Sequence, residues 1–186
     1  MGSCRLARHR RRAYQKRLPY FTHRPGRPDC SPILPELYVG SYPTPGDFAW
    51  LASEHGVRAI LNLQDDFDLA AKRLTLQELE RAAVAAGLAF ARAPIGDGDA
   101  DGLAHRLPDI VALLAGLVDA HGRTYLHCNA GMNRAPTVAI AYLHVHSALP
   151  LRDAIRQVKR HRACLPYVSA LEAAYPARPS LRSRTS

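Results

Sequence analysis

Cysteine is scarce in this chain: Cys4, Cys30, Cys128 and Cys164 stand far apart, with no Cys-x-x-Cys pair among them. A small secreted scaffold stapled by disulfides would carry more, so a reducing compartment, the cytoplasm, is the expectation. Long apolar runs are missing too. No stretch approaches the roughly eighteen consecutive apolar residues of a membrane-spanning helix, so no transmembrane segment is expected and the chain reads as soluble. Acidic residues are absent from the first 28 positions, and residues 1–30 hold nine Lys and Arg against the single Asp29. Organelle-directing segments share that acid-free, basic character but are rich in Ser, and this one is not. The arginine-rich start also lacks the apolar segment of a secretory signal. Met1-Gly2-Ser3-Cys4 suggests lipidation, yet Leu6 stands where the myristoylation pattern wants Ser or Thr. Residues 1–30 are therefore expected to be a solvated, disordered basic extension, with organelle targeting as the alternative.

That extension accounts for most of the formal net charge of +9, leaving +1 for residues 31–186. Arg178, Arg182 and Arg184 near the C-terminus carry no acid beside them, so residues 31–175 come to about −2. A basic groove for nucleic acid is not evident in that stretch, and no nucleic-acid partner is expected. With 186 residues, 47% of them hydrophobic, the chain can bury one substantial core. We expect one domain over residues 31–175, followed by a disordered basic tail over 176–186. Nothing in the sequence sets an oligomeric state.

Strand and helix patterns alternate through the domain. Glu36-Leu37-Tyr38-Val39-Gly40 reads as a first strand after Pro32 and Pro35. Thr44 caps a helix that starts at Pro45, carries Phe48, Leu51 and Ala52, and stops at Gly56. Residues 57–63 form a buried strand, and Asp65, Asp66 and Asp68 follow in what reads as a loop. A helical stripe from Leu76 to Ala86 ends at Gly87, and residues 88–93 make a short strand. Gly96 to Gly102 combines three glycines with three aspartates and is expected to be a mobile loop. Pro108 to Ala120 predicts a largely buried helix, residues 124–127 a strand, 136–148 a central helix, 151–162 an amphipathic helix, and 170–175 a last turn or two. This order implies an α/β sandwich with a central, mostly parallel sheet flanked by helices, and ligands at the carboxyl ends of the strands.

Cys128 stands at such an end. His127-Cys128-Asn129-Ala130-Gly131-Met132-Asn133-Arg134-Ala135-Pro136 joins a strand to a helix. Five residues between Cys128 and Arg134 suffice to curl the backbone N–H groups of Asn129, Ala130, Gly131, Met132, Asn133 and Arg134 around an anion such as phosphate. Gly131 supplies the dihedral freedom that the curl needs. Helix N-termini favour thiolates, the attacking form of cysteine, which makes Cys128 the candidate nucleophile. Arg134, planar and always charged, can hold two oxygens of a transferring phosphoryl group.

These residues resemble the CxxxxxR signature of the protein tyrosine phosphatase superfamily, and His-Cys-Asn-Ala-Gly-x-x-Arg resembles its dual-specificity branch. The resemblance implies a single-domain cysteine-phosphatase sandwich that hydrolyses phosphomonoesters through a phosphocysteine intermediate, with no metal and no cofactor. It also implies a general acid from an acidic loop about thirty residues earlier. Asp97 is that candidate, Asp99 the reserve, and Asp101 reads as a solvated turn former. His127 is expected to bond the loop and steady Cys128, and Asn133 to fix loop geometry or lie exposed. His144 and His146 read as structural.

Pro94-Ile95-Gly96-Asp97, Leu37-Tyr38-Val39-Gly40-Ser41, Ile60-Leu61-Asn62-Leu63-Gln64-Asp65 and Asn133-Arg134-Ala135-Pro136 are similar to the glucan phosphatases of this branch, over residues 35–165. Substrates implied are phosphoproteins (Tyr, Ser or Thr) or phosphorylated carbohydrate. Two departures stand out. The branch places Ser or Thr after the arginine to help the thiolate leave, and here it is Ala135, which would slow turnover of the intermediate. Glucan phosphatases place aromatics beside the acid and after the second strand, where this chain has Gly98 and Ala70-Ala71. Two other readings remain: a catalytically impaired phosphate-recognition module, and a basic extension over the first 30 residues that docks the domain on nucleic acid or an acidic surface.

Overall fold

In a computed structural model, the structure describes residues 27 to 176. Most of the basic extension and all but the first residue of the C-terminal tail lie outside them. Five strands form one sheet in the order β1-β2-β5-β3-β4. They are β1 (Cys30–Leu34), β2 (Leu37–Gly40), β3 (Ala59–Asn62), β4 (Ala89–Arg92) and β5 (Thr124–His127). β1 and β2 pair antiparallel across a tight turn, and the other three pairings are parallel. The sequence reading had treated Pro32 as punctuation before the first strand. It lies instead inside β1, at the sheet edge, where a missing N–H removes no central ladder bond.

Seven α-helices flank the sheet: α1 (Phe48–Glu54), α2 (Asp66–Ala71), α3 (Leu76–Ala85), α4 (Ala100–His121), α5 (Arg134–His146), α6 (Leu151–His161) and α7 (Val168–Ala174). Successive strand residues face opposite sides. Val39, Leu61 and Leu126 pack into one core with Leu103, Leu107, Ile110 and Leu114 of α4, Val138 of α5 and Val158 of α6. Ile60 and Tyr125 pack into the other with Phe48, Leu51, Leu79 and Ala83 of α1 and α3. β3 and β5 are buried at every residue, as strands covered on both faces must be.

Three differences from the sequence reading bear on the site, each for a visible reason. The acidic segment after β3 is a short helix, α2, because Asp65 caps it by accepting the Asp68 N–H at 2.7 Å. The loop expected over 96–102 ends early, because Asp99 accepts the Gly102 N–H at 2.8 Å and starts α4 at Ala100. Pro108 then lies inside α4 rather than at its start. An interior proline costs about 3 kcal/mol, but the fully buried Leu103 and Leu107 extend the stripe of Ile110 and Leu114 across it. α5 begins at Arg134, two residues before Pro136, so the arginine belongs to the first helical turn.

Strand register fixes where a ligand can sit. Gly40, His127 and Asn62 are level across β2, β5 and β3. The segments leaving those three positions therefore meet at one end of the sheet.

Candidate active site

The segment leaving β5 is the loop from Cys128 to Asn133, and its six carbonyls are all engaged from outside. His127 Nδ1 donates to the Cys128 carbonyl at 3.2 Å. Tyr42 N–H reaches Asn129 O at 2.9 Å, and Leu165 N–H reaches Met132 O at 2.8 Å. Arg162 donates to Ala130 O at 3.0 Å and to Gly131 O at 2.6 Å. Asn133 O receives the Thr137 N–H at 3.0 Å and the Thr137 hydroxyl at 2.7 Å. A trans peptide directs its C=O and N–H to opposite sides. Six outward carbonyls therefore turn the N–H groups of residues 129–134 inward, toward one point beside Cys128.

Gly131 holds the curl open, with φ +63°. A Cβ there would lie 2.4 Å from Gly40 O and 2.5 Å from Arg162 Nη2, so only glycine fits. The N-terminus of α5, 13 residues long, adds its partial positive charge to the same point.

Arg134 is 1% exposed in its side chain, and its donors divide into two edges. Nη1 is committed, 2.5 Å from Asp68 Oδ2 and 2.7 Å from Ile95 O. On the other edge, Nη2 lies 3.3 Å from Asp97 Oδ1 and Nε has no hydrogen-bond partner despite being buried. Burial opposes the charge, but Cys128, Asp68 and Asp97 more than offset it and the guanidinium holds its proton more tightly than usual. The Nε/Nη2 edge can take two oxygens of a phosphate side by side.

Asp97 is 67% exposed, so its carboxylate is open to solvent on the side away from Arg134. Asp99 is occupied as the cap of α4, which separates it from Asp97, and Asp101 lies exposed in the first turn of that helix. The acid loop is held at both ends. Arg106 Nη1 donates to Pro94 O at 2.5 Å, and Gly98 N–H donates to the Tyr167 hydroxyl at 3.1 Å.

His127 is 1% exposed, and burial lowers its pKa to about 3, with Arg134 adding to the effect and the Cys128 carbonyl opposing it. It is a neutral donor to the loop, and Tyr125 stacks on it at 5.8 Å. Asn133 Nδ2 donates to Leu165 O at 2.6 Å, so it fixes loop geometry. His144 donates to Leu149 O at 2.6 Å and His146 stacks on Tyr142, as structural histidines would. Cys30, Cys128 and Cys164 are free thiols. Burial and Asp29 push Cys30 up to about 11, and burial raises Cys164.

Asp68 was missed at the sequence level. It is 3% exposed and ties Arg134 to Asn129, whose Nδ2 donates to Asp68 Oδ1 and whose Oδ1 accepts from Gln64 Nε2 at 2.7 Å. The signal available was Asp65-x-x-Asp68, a cap spacing. Arg162 and Tyr167 were missed as well.

Comparison with known proteins fits this geometry. The family model described as dual specificity phosphatase, catalytic domain, matches residues 37–169. The chain belongs to the dual-specificity phosphatases. Among curated members of the wider group, "Phosphoglucan phosphatase DSP4, amyloplastic" of Castanea sativa is 36% identical over 145 residues, 76% of this chain and 38% of that protein. Laforin of Mus musculus is 28% identical over 125 residues, 61% of this chain and 38% of that one. The chain thus spans less than two-fifths of the length of these relatives. Human DUSP28 superposes with a TM-score of 0.64 at 27% identity, over 82% of this chain and 96% of that one. As in that fold, this dual-specificity domain is a single α/β unit around a mostly parallel sheet. No helix among the described residues is long and apolar enough to cross a membrane.

Proposed function

We propose that this domain hydrolyses phosphomonoesters by two successive in-line displacements. The Cys128 thiolate attacks phosphorus while the bond to the leaving oxygen breaks, and Asp97 gives that oxygen its proton. The inward N–H groups of residues 129–134 and the Nε/Nη2 edge of Arg134 hold the three equatorial oxygens through the transfer. Water then attacks the phosphocysteine, Asp97 takes the water's proton, the sulfur–phosphorus bond breaks, and phosphate leaves with the thiolate restored. The observation that carries this reading is the set of six outward carbonyls around the loop, which makes an anion cradle beside a thiol.

The substrate class is a phosphoprotein or a phosphorylated carbohydrate, and the name of the Castanea sativa relative supports the second. The reading puts the enzyme in the cytoplasm, with organelle targeting by the basic N-terminus as the alternative. Fusing residues 1–30 to a fluorescent protein decides between them.

Hydrolysis of a small aryl phosphate tests the chemistry, using wild type, Cys128→Ser and Asp97→Ala from about pH 5 to about pH 8 without added metal. Loss of turnover in the first variant and of the acid-dependent limb in the second is expected. A wild type inactive at every pH would refute the reading. Comparing phosphopeptides with phosphorylated starch then assigns the substrate class.

A further inference from the structure

The cradle depends on carbonyls that point away from it, and two of the six belong to peptides that one side chain holds. Arg162 closes α6, is 3% exposed, and spends its donors on three segments. Nε donates to Gly131 O at 2.6 Å and Nη2 to Ala130 O at 3.0 Å. Nη1 reaches Val39 O and the Ser31 hydroxyl, each at 3.2 Å, and Nη2 also meets Asp29 Oδ2 at 3.0 Å. Only a planar guanidinium offers donors in enough directions for this.

The two held peptides are the ones most able to turn over. The peptide between Ala130 and Gly131 and the peptide between Gly131 and Met132 flank the only glycine in the loop. A flip of either would aim a carbonyl dipole at the anion and withdraw an N–H from it. The Gly131 carbonyl is buried and the Ala130 carbonyl partly so, and without Arg162 they would be left unpaired or would rotate to find a partner.

We infer that Arg162 is a positioning residue of the phosphate site. It locks the orientation of the Ala130 and Gly131 peptides and is itself braced by Asp29 and Ser31 at the start of β1. Catalytic competence therefore reaches upstream of residue 37, where the family match begins. Asp29 is fixed there by its own backbone, whose carbonyl accepts the Ser41 N–H at 2.8 Å and whose N–H meets the Ser41 hydroxyl at 3.0 Å.

A lock of this kind changes the fraction of molecules with a competent loop, so affinity and KM move together while kcat at saturation stays near the wild-type value. Packing alone would lower the melting temperature and leave the affinity of folded molecules unchanged. The test is calorimetric titration of inorganic phosphate into the full chain, with thermal unfolding and aryl phosphate kinetics alongside. In Arg162→Met the phosphate dissociation constant should rise about tenfold, with KM following it. Arg162→Lys should recover part of the loss. A folded Met variant binding phosphate within twofold of wild type would overturn the inference. Should that variant not fold, Asp29→Asn combined with Ser31→Ala decides: about threefold weaker binding is expected, and unchanged binding overturns it. The kinetic arm rests on the phosphatase reading, but the titration does not. A wild type that binds phosphate and hydrolyses nothing would end that reading and leave Arg162 to be judged on dissociation constants. One that binds no phosphate would end both.

Discussion

Replacing Asp68 by Asn keeps the shape of a buried side chain and removes one acceptor and its charge. The aspartate uses both oxygens, Oδ2 for Arg134 and Oδ1 for Asn129. An amide has a single oxygen, so one of the two partners must lose its bond. Arg134 and Asp68 are 1% and 5% exposed in their side chains, and water cannot replace what is lost. Breaking a buried pair from one side costs about 3–5 kcal/mol, and the isosteric amide with the remaining Ile95 carbonyl puts this variant at the lower end. For a domain of this size about 3 kcal/mol lowers the melting temperature by roughly 10 °C. Activity should fall further than stability explains, because the guanidinium loses the anchor that aims its Nε/Nη2 edge. A misplacement of about 1 Å is worth on the order of 100-fold in kcat/KM. Scanning calorimetry and aryl phosphate kinetics at a temperature where both proteins are folded give the two numbers. A variant melting within about 2 °C of wild type and retaining kcat/KM within about threefold would show that Asp68 does not orient Arg134.

The pH dependence of stability should carry the signature of His127. Its folded pKa lies near 3 against an ordinary value of 6.5. Above the ordinary value both states are neutral, and as pH falls below it only the unfolded chain takes up the proton. Stability is thus lost between those limits, by up to about 1.4 kcal/mol per pH unit. His127→Asn, whose amide can donate where Nδ1 does, should flatten that slope in denaturant titrations by about one proton. Tyr167→Phe releases the Gly98 N–H and should lower kcat/KM a few-fold, on the order of one hydrogen bond, for esters with poor leaving groups. Aryl esters with better leaving groups, which lean less on the acid, should be affected less. Ala135→Ser supplies the hydroxyl that the family pattern places after the arginine and should raise steady-state turnover by about tenfold where wild type shows a pre-steady-state burst. A variant no faster than wild type would place the slow step elsewhere.

What could be read in advance was local. His127, Cys128, Gly131 and Arg134 lie within eight residues of one another, and their spacing alone describes a cradle between a strand and a helix. The residues that hold the cradle come from far along the chain: Asp68 meets Asn129 across 61 positions, and Arg162 meets Asp29 across 133. Periodicity contained a trace of Arg162. Ala154 and Val158 are buried at helical spacing, and the next place on that face is 162. There it stands among Lys159, Arg160 and His161, which are exposed and make it look like one more solvated cation. α2 escaped notice because its first turn is acidic and its phenylalanine, Phe67, is 81% exposed, so no apolar stripe marks it. Pro108 reads as a helix beginning, whereas packing of Leu103 and Leu107 carries α4 through it.

The span between Asp29 and Arg162 also orders events in time. Neither end of that contact is near the nucleophile in sequence, and the strand leading into Cys128 pairs with β2 across more than eighty residues, as His127 with Gly40 does. Contacts of such range form late, after the entropy of closing a long chain segment has been met. A chain still emerging from the ribosome at residue 150 already carries Cys128, Gly131 and Arg134, yet lacks the side chain that braces the loop. The brace on the phosphate site therefore cannot form before residue 162 has been made and packed.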